Sequence, residues 1–277
     1  MSRLEANITE AIDNLHREMT WAAKPSKGTL YRYNKTSTDF LSSLDHFPPT
    51  TDDVKDWIQP LPSQSYKRWN YYILKKLFSA NHWEWDIKKP PEKTEVLPPT
   101  LDYNTVSYLI LARELLDERE RAYLALSTTY GFRRSELASL SKDNFNHQLV
   151  TVATVKKGRV RVHSIPNEIR DVVLGYKFHP IEKSWLSRIF QRILRDAGLD
   201  PMPGYGFHSI RSSLITQLLL ANVNPVVISK WMGWKTLPSE MVQLGVSRML
   251  EVYARPSEME TDSIIYSAHP YLSLWSK

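Results

Sequence analysis

The stretch Asp86-Ile87-Lys88-Lys89-Pro90-Pro91-Glu92-Lys93-Thr94-Glu95-Val96-Leu97-Pro98-Pro99-Thr100 decides what this 277-residue chain can become. Each proline lacks a backbone N–H and turns the residue before it away from helix, while the interleaved charges resist burial. Such a segment is an extended linker and joins no core. Two separate units are therefore expected, residues 1–88 and 101–277, joined by a linker over 89–100.

Residues 1–88 read as a small helical module. Leu4, Ile8, Ile12 and Leu15 fall at helical spacing over 4–20, and Leu30, Tyr33, Phe40 and Leu41 mark a second helix over 29–44. Asp52 and Asp53 carry the charge that favours a helix start over 52–58. Over 63–80, Tyr66, Trp69, Tyr72, Ile73, Leu77 and Phe78 recur periodically, with lysines and arginines on the other face. Those basic and aromatic side chains suit either phosphate contact or an ordinary core with a solvated face.

Beyond the linker, helices are expected at 102–116, 118–130 and 134–140. Residues 148–155 and 159–165 alternate or favour β-branched types, which predicts a hairpin with Lys156-Lys157-Gly158 between its strands. Leu186, Ile189, Phe190, Ile193 and Leu194 mark a core-facing helix over 182–197. An apolar helix follows over 209–221. Asn224 caps the next one and Pro225 opens it, and it ends near Met232-Gly233. Ser257 and Glu260 offer a capping box for a helix after Pro256. The fold class is mainly α with a small β-sheet.

Composition narrows the chemistry. No apolar run reaches the ~18 residues of a membrane span, and Met1-Ser2-Arg3-Leu4-Glu5 lacks a signal-peptide core, so a soluble cytoplasmic protein without membrane contact is expected. The absence of cysteine excludes disulfides, thiolate zinc sites and a thiol nucleophile. His163, His179, His208 and His269 have no carboxylate cluster at ligand spacing, so neither a metal nor another cofactor is expected. A net charge of +6 favours a polyanionic partner.

Arg133, Lys156 or Lys157, His208, Arg211, Trp234 and Tyr253 follow one another through the second unit. In that order they are the groups a metal-free transesterification of a phosphodiester requires. A tyrosine phenol can keep the phosphoryl bond energy as a covalent link, but with a pKa of about 10 it needs a base and an electrophilic cradle. Arginine suits the cradle, because its planar fork donates two parallel hydrogen bonds to phosphate oxygens and keeps its charge. A histidine can take the phenolic proton and a lysine can give one to the departing 5′ oxygen. An indole N–H adds a further donor.

The order and the flanking residues resemble the tyrosine recombinases, the family of phage integrases and Xer-type resolvases. Gly131-Phe132-Arg133-Arg134-Ser135-Glu136-Leu137 is similar to the family's Gly-x-Arg-x-x-Glu-Leu motif. The resemblance implies that Arg133 binds phosphate, that Glu136 buttresses it, and that Arg134 faces elsewhere. His208-Ser209-Ile210-Arg211 resembles the His-x-x-Arg box, whose i and i+3 residues share a helix face and can meet one phosphate. Trp234 stands where the family usually has histidine and sometimes tryptophan; a core tryptophan is the competing reading. The family's lysine sits at a hairpin turn, where Lys157, next to Gly158, is preferred over Lys156. Tyr253, in Val252-Tyr253-Ala254-Arg255-Pro256, is the implied nucleophile.

Two departures stand out. The interval from Trp234 to Tyr253 is longer than the family's common spacing, which leaves delivery in cis or in trans open and keeps Tyr266 and Tyr271 as rivals. Ser212-Ser213 follow Arg211 where a histidine often appears. The terminal Tyr271-Leu272-Ser273-Leu274-Trp275 is expected to dock on a neighbouring protomer, as C-terminal segments of the family often do.

The resemblance implies a helical core-binding domain followed by a catalytic domain, the two clamping duplex DNA. It further implies a site-specific recombinase of a virus or mobile element, cleaving and rejoining double-stranded DNA through a 3′-phosphotyrosine. Integration, excision or resolution would proceed through a homo-tetramer on DNA and Holliday intermediates, with room for accessory proteins. A telomere resolvase or a type IB topoisomerase-like enzyme would share the same chemistry. A helix-turn-helix regulator over 209–232 is a third reading, opposed by a second helix, Pro225 to Met232, too apolar to read bases.

Overall fold

A computed structural model describes residues 3–22, 24–91, 99–153, 160–234 and 257–277. The chain divides into two compact units, Met1–Val96 and Leu97–Lys277.

The first unit holds α1 (Arg3–Ala22), α2 (Lys27–Ser42), α3 (Thr51–Ile58) and α4 (Gln64–Ala80). The hydroxyls of Ser26, Thr50 and Ser63 accept from backbone N–H groups one turn on, which satisfies donors that a helix start leaves open. Leu15, Phe40, Leu41, Val54, Leu74, Leu77 and Phe78 form the core. Trp83 and Trp85 meet the Phe78 ring edge-on at 5.3 and 5.1 Å. The Tyr71 hydroxyl donates to the Ile87 carbonyl at 3.2 Å, so the chain stays packed on this unit through Ile87. Residues 92–98 of the expected linker lie outside the described residues.

The second unit begins with α5 (Tyr103–Leu111), which stops short of the expected 116 and gives way to a 3-10 turn at Arg113–Leu115. Then come α6 (Glu118–Tyr130) and α7 (Arg134–Ala138), the strands β1 (Leu149–Ala153) and β2 (Val160–Ser164), and α8 (Asn167–Gly175). They are followed by α9 (Lys183–Asp196), α10 (Phe207–Leu220), α11 (Pro225–Trp231) and α12 (Glu258–Ser267), with a final 3-10 turn at Leu272–Ser276. The short helix α8, which buries Ile169 and Val173, was not anticipated.

Helix α6 is buried from Ala122 to Tyr130 and forms the centre of this unit. Its polar residues are compatible with that because Ser127 and Thr128 donate to the carbonyls of Tyr123 and Leu124 at 2.7 and 2.8 Å. The strands pair antiparallel from Leu149↔Ser164 to Ala153↔Val160. The intervening tip, with Lys156, Lys157 and Gly158, lies outside the described residues. On β2 the alternation is the reverse of the ordinary one: Arg161 and His163 point inward and are buried, whereas Val160 is exposed. Two acidic side chains, Glu136 and Asp262, meet them there.

The terminal segment corrects the expectation of docking in trans. Tyr271, Leu272, Leu274 and Trp275 belong to the core of their own unit. Trp275 Nε1 donates to Thr128 Oγ1 at 3.2 Å, and His269 Nε2 lies 3.0 Å from the Thr129 carbonyl. The Thr128 hydroxyl and the Thr129 carbonyl of α6 thus find partners within the same unit. Helix α11 is likewise core: Val226, Val227, Ile228 and Trp231 are buried, so it cannot serve as a recognition helix. No described helix is long and apolar enough to cross a membrane.

Candidate active site

Where α6 ends, Gly131 takes φ +57°, and a Cβ there would lie 3.1 Å from Met232 Cε and 3.3 Å from Leu214 Cδ2. Glycine alone accepts both the left-handed backbone and the close approach. The chain reverses and leaves Arg133 as the extended residue before α7. Three positions on, Glu136 reaches back: its Oε2 accepts from the Arg133 N–H at 2.7 Å and its Oε1 from Arg133 Nη1 at 2.9 Å. This is the reciprocal half of a capping box, used here to aim an arginine. Arg134 turns away, toward Ser187 Oγ at 3.4 Å.

Glu136 is fully buried and takes a third hydrogen bond, from Arg161 Nη2 at 2.7 Å. Burial pushes its carboxyl up, but the Arg161 charge, the Arg133 N–H and the Arg133 charge outweigh that and hold it below the usual carboxylate range. Arg161 Nη1 donates to the Trp231 carbonyl at 3.0 Å. Sequence reasoning missed Arg161. The available signal was its alternation with His163, two polar residues on one face of a strand.

Helix α10 supplies the second pair. His208 lies partly exposed in its first turn, and Arg211 follows one turn later, buried. The Arg211 guanidinium donates to the carbonyls of Gly131 and Met232. Its Cζ stands 5.9 Å from the centre of the Trp234 ring. Burial, then the charges of Arg133 and Arg161, lower the Arg211 pKa, though a guanidinium stays charged at neutral pH. His208 is also lowered, by burial first and then by Arg211 and Arg133, which favours the neutral imidazole. Gly233, at φ +65°, passes so close to Arg161 that a Cβ would sit 2.6 Å from its Cδ. The turn then presents Trp234, half-buried against Val226.

Four of the anticipated residues, Arg133, His208, Arg211 and Trp234, are thus brought into one neighbourhood. Arg133 and Arg161 both donate to the Glu136 carboxylate, and Arg211 feels the charges of all three. The surplus positive charge suits an anion with several oxygens. Lys157 and Tyr253 lie outside the described residues. The rival tyrosines are engaged elsewhere: the Tyr266 hydroxyl donates to the Ser164 carbonyl at 2.6 Å, and Tyr271 shares a 2.7 Å hydrogen bond with Ser213. Burial raises both phenols, that of Tyr271 to about 12, which opposes the phenolate form.

No family model matches the chain. In sequence it is similar to tyrosine recombinase XerC of Azotobacter vinelandii, 32% identical over 101 residues, covering 35% of this chain and 31% of that protein. Tyrosine recombinase XerC of Haemophilus influenzae is 25% identical over 187 residues, covering 59% of this chain and 62% of that protein. The match spans less than two thirds of the length of both relatives. Among solved structures, a lambda integrase tetramer bound to a Holliday junction matches with a TM-score of 0.62 at 15% identity. The match covers 83% of this chain and 78% of that one, and it shows the fold.

Proposed function

Sharing its fold with lambda integrase and part of its sequence with the tyrosine recombinases XerC, this chain is, we propose, a site-specific DNA recombinase. The observation that carries this reading is that His208 and Arg211 feel the charge of Arg133 while the Arg211 Cζ stands 5.9 Å from the Trp234 ring centre, four residues from distant motifs in one neighbourhood.

In the proposed mechanism, Arg133 and Arg211 donate to the non-bridging oxygens of one DNA phosphate, and the Trp234 indole adds a donor. Charge that develops in the transition state meets donors already in place. His208, neutral at pH 7, accepts the phenolic proton of Tyr253. The Tyr253 oxygen attacks phosphorus, a 3′-phosphotyrosine forms, and the 5′ oxygen leaves with a proton from Lys157. Attack by the 5′ hydroxyl of another strand reverses the step, rejoins DNA and frees the tyrosine. No external energy source is needed, because one phosphoester replaces another.

The first unit acts as a DNA-binding module in this reading. Tyr31, Tyr66 and Trp69 are exposed there, and Arg32 lies 5.7 Å from the Trp69 ring centre. The recombinase works as a homo-tetramer on duplex DNA inside the cell, which the solved tetramer of similar fold supports.

The test uses a nicked duplex selected from a random-sequence library by wild-type binding. Wild type and Tyr266→Phe are expected to form a DNA adduct stable to SDS, and Tyr253→Phe none. An adduct with Tyr253→Phe would reassign the nucleophile, and the absence of any adduct with wild type would overturn the recombinase reading.

A further inference from the structure

We propose that Arg161 is a positioning residue of this cradle, a third arginine that meets no substrate and sets where Arg133 and Trp234 stand. Its role rests on the recombinase reading of the site.

Arg161 is 6% exposed and lies beneath the cradle. Its Nη2 donates to Glu136 Oε2 at 2.7 Å, and the same oxygen accepts the Arg133 backbone N–H, also at 2.7 Å. Arg161 therefore holds the carboxylate that aims the first arginine. Its Nη1 donates at 3.0 Å to the carbonyl of Trp231, the last residue of α11, three positions before Trp234. The stem of Arg161 passes over Gly233 closely enough that no side chain fits between them. Its Cζ stands 5.4 Å from the centre of the Phe132 ring, inside the turn that carries Arg133. One planar guanidinium thus spans the two chain segments that supply the opposite sides of the site.

Geometry separates this role from a plain ion pair. Two fixed donors on one plane set the spacing of Glu136 and the Trp231 carbonyl. A lysine keeps the charge but donates from one nitrogen on a flexible stem, so it does not fix their spacing. With Arg161→Lys the charge balance survives and the spacing does not. Catalysis is sensitive to such changes, since a small misplacement of a positioned group weakens the transition state more than the ground state.

The experiment compares wild type, Arg161→Lys, Glu136→Gln, Arg133→Ala and the double variant Arg133→Ala/Arg161→Lys. It measures duplex affinity, the rate of SDS-stable adduct formation on the selected nicked duplex, and the thermal midpoint with and without inorganic phosphate. Arg161→Lys is expected to slow adduct formation at least tenfold while duplex affinity changes less than twofold. In the Arg133→Ala background the same substitution should slow the rate by clearly less than it does in wild type, because one of the two residues it positions is gone. Glu136→Gln, which breaks the relay at its middle, should slow adduct formation to a similar degree and serves if Arg161→Lys does not fold. A rate within threefold of wild type for the folded variant, or full additivity with Arg133→Ala, would overturn the proposal. If wild type forms no adduct, the recombinase reading fails and the phosphate-dependent thermal shift decides about Arg161. A smaller shift in Arg161→Lys than in wild type supports positioning, and an equal shift refutes it.

Discussion

His163 Nδ1 stands 3.0 Å from Asp262 Oδ1, and this buried contact fastens α12 to β2. The same oxygen accepts from Trp231 Nε1 at 3.0 Å, while Oδ2 accepts the Ser164 N–H and hydroxyl at 2.6 and 2.9 Å. A single carboxylate thus joins the hairpin, α11 and α12. Removing it by Asp262→Ala strands four buried or half-buried donors, each of which costs ~1–3 kcal/mol when left unpaired. A stability loss of ~3–5 kcal/mol is expected, in the range for breaking a buried pair. Asp262→Asn, whose amide oxygen still accepts, should lose less. Urea unfolding measures both, and a loss below ~1 kcal/mol for Asp262→Ala would show that these contacts contribute little.

His269 gives the second unit a dependence on acid. Its Nδ1 accepts the N–H groups of Tyr271 and Leu272 at 3.2 and 3.0 Å, so Nε2 carries the proton toward Thr129. Burial pushes its pKa down to about 4. A lowered folded-state pKa on a histidine means the unfolded chain binds the proton first. The stabilisation is therefore complete above ~6.5, the unfolded value, and declines as pH falls toward 4. Thermal midpoints between pH 7 and pH 4 should fall more for wild type than for His269→Gln.

Loss of one cradle arginine should show in chemistry more than in binding. Arg133→Ala and Arg211→Ala are each expected to slow DNA cleavage by ~10²–10³, as losing one preorganised donor does at other sites. Arg211→Ala should also lower stability, because Arg211 ties Gly131 to Met232. A slowing of less than threefold would remove that arginine from the cradle. Cleavage on a nicked duplex and unfolding curves separate the two effects.

Cleavage should have an acid limb set by His208. Burial, then the Arg211 and Arg133 charges, hold its pKa below the ordinary value, so the neutral base persists at pH 7 and is lost as pH falls through that lowered value. A pH–rate profile is expected to show an acid limb whose midpoint lies below ~6.5, the ordinary histidine value. The midpoint should rise in Arg133→Ala, where one repelling charge is absent, and a midpoint that does not move would uncouple the two residues.

Gly233→Ala combines two penalties. The left-handed φ of +65° costs a side chain ~1–2 kcal/mol, and the added Cβ would meet Arg161 Cδ at 2.6 Å. In an Arg161→Ala background only the backbone part should remain. A double-mutant cycle read by urea unfolding tests this, and strict additivity would show that the close approach contributes nothing.

Much of the helical architecture was legible because its apolar residues recur at helical spacing, as in α4 and α9. The grouping of Arg133, His208, Arg211 and Trp234 was legible as a resemblance, each residue sitting in a short local motif. Arg161 was not, since a buried arginine looks like any polar strand residue until its partner Glu136 is seen beside it. Helix α8 escaped because nine residues after a hairpin carry too short a period to stand out. The terminal aromatic residues gave the wrong expectation for a related reason. Apolar periodicity says that a surface is covered and cannot say which Thr128 or Thr129 covers it.

The attachment of α12 and the terminal turn has a kinetic side. His163 and Asp262 are 99 positions apart, Ser164 and Tyr266 102, and Thr128 and Trp275 147. Contacts this distant along the chain form late, since the loop must close before they repay the lost freedom. Until then the half-made unit exposes Trp231 and the inward face of β2, so refolding should be slow and prone to aggregate at high concentration.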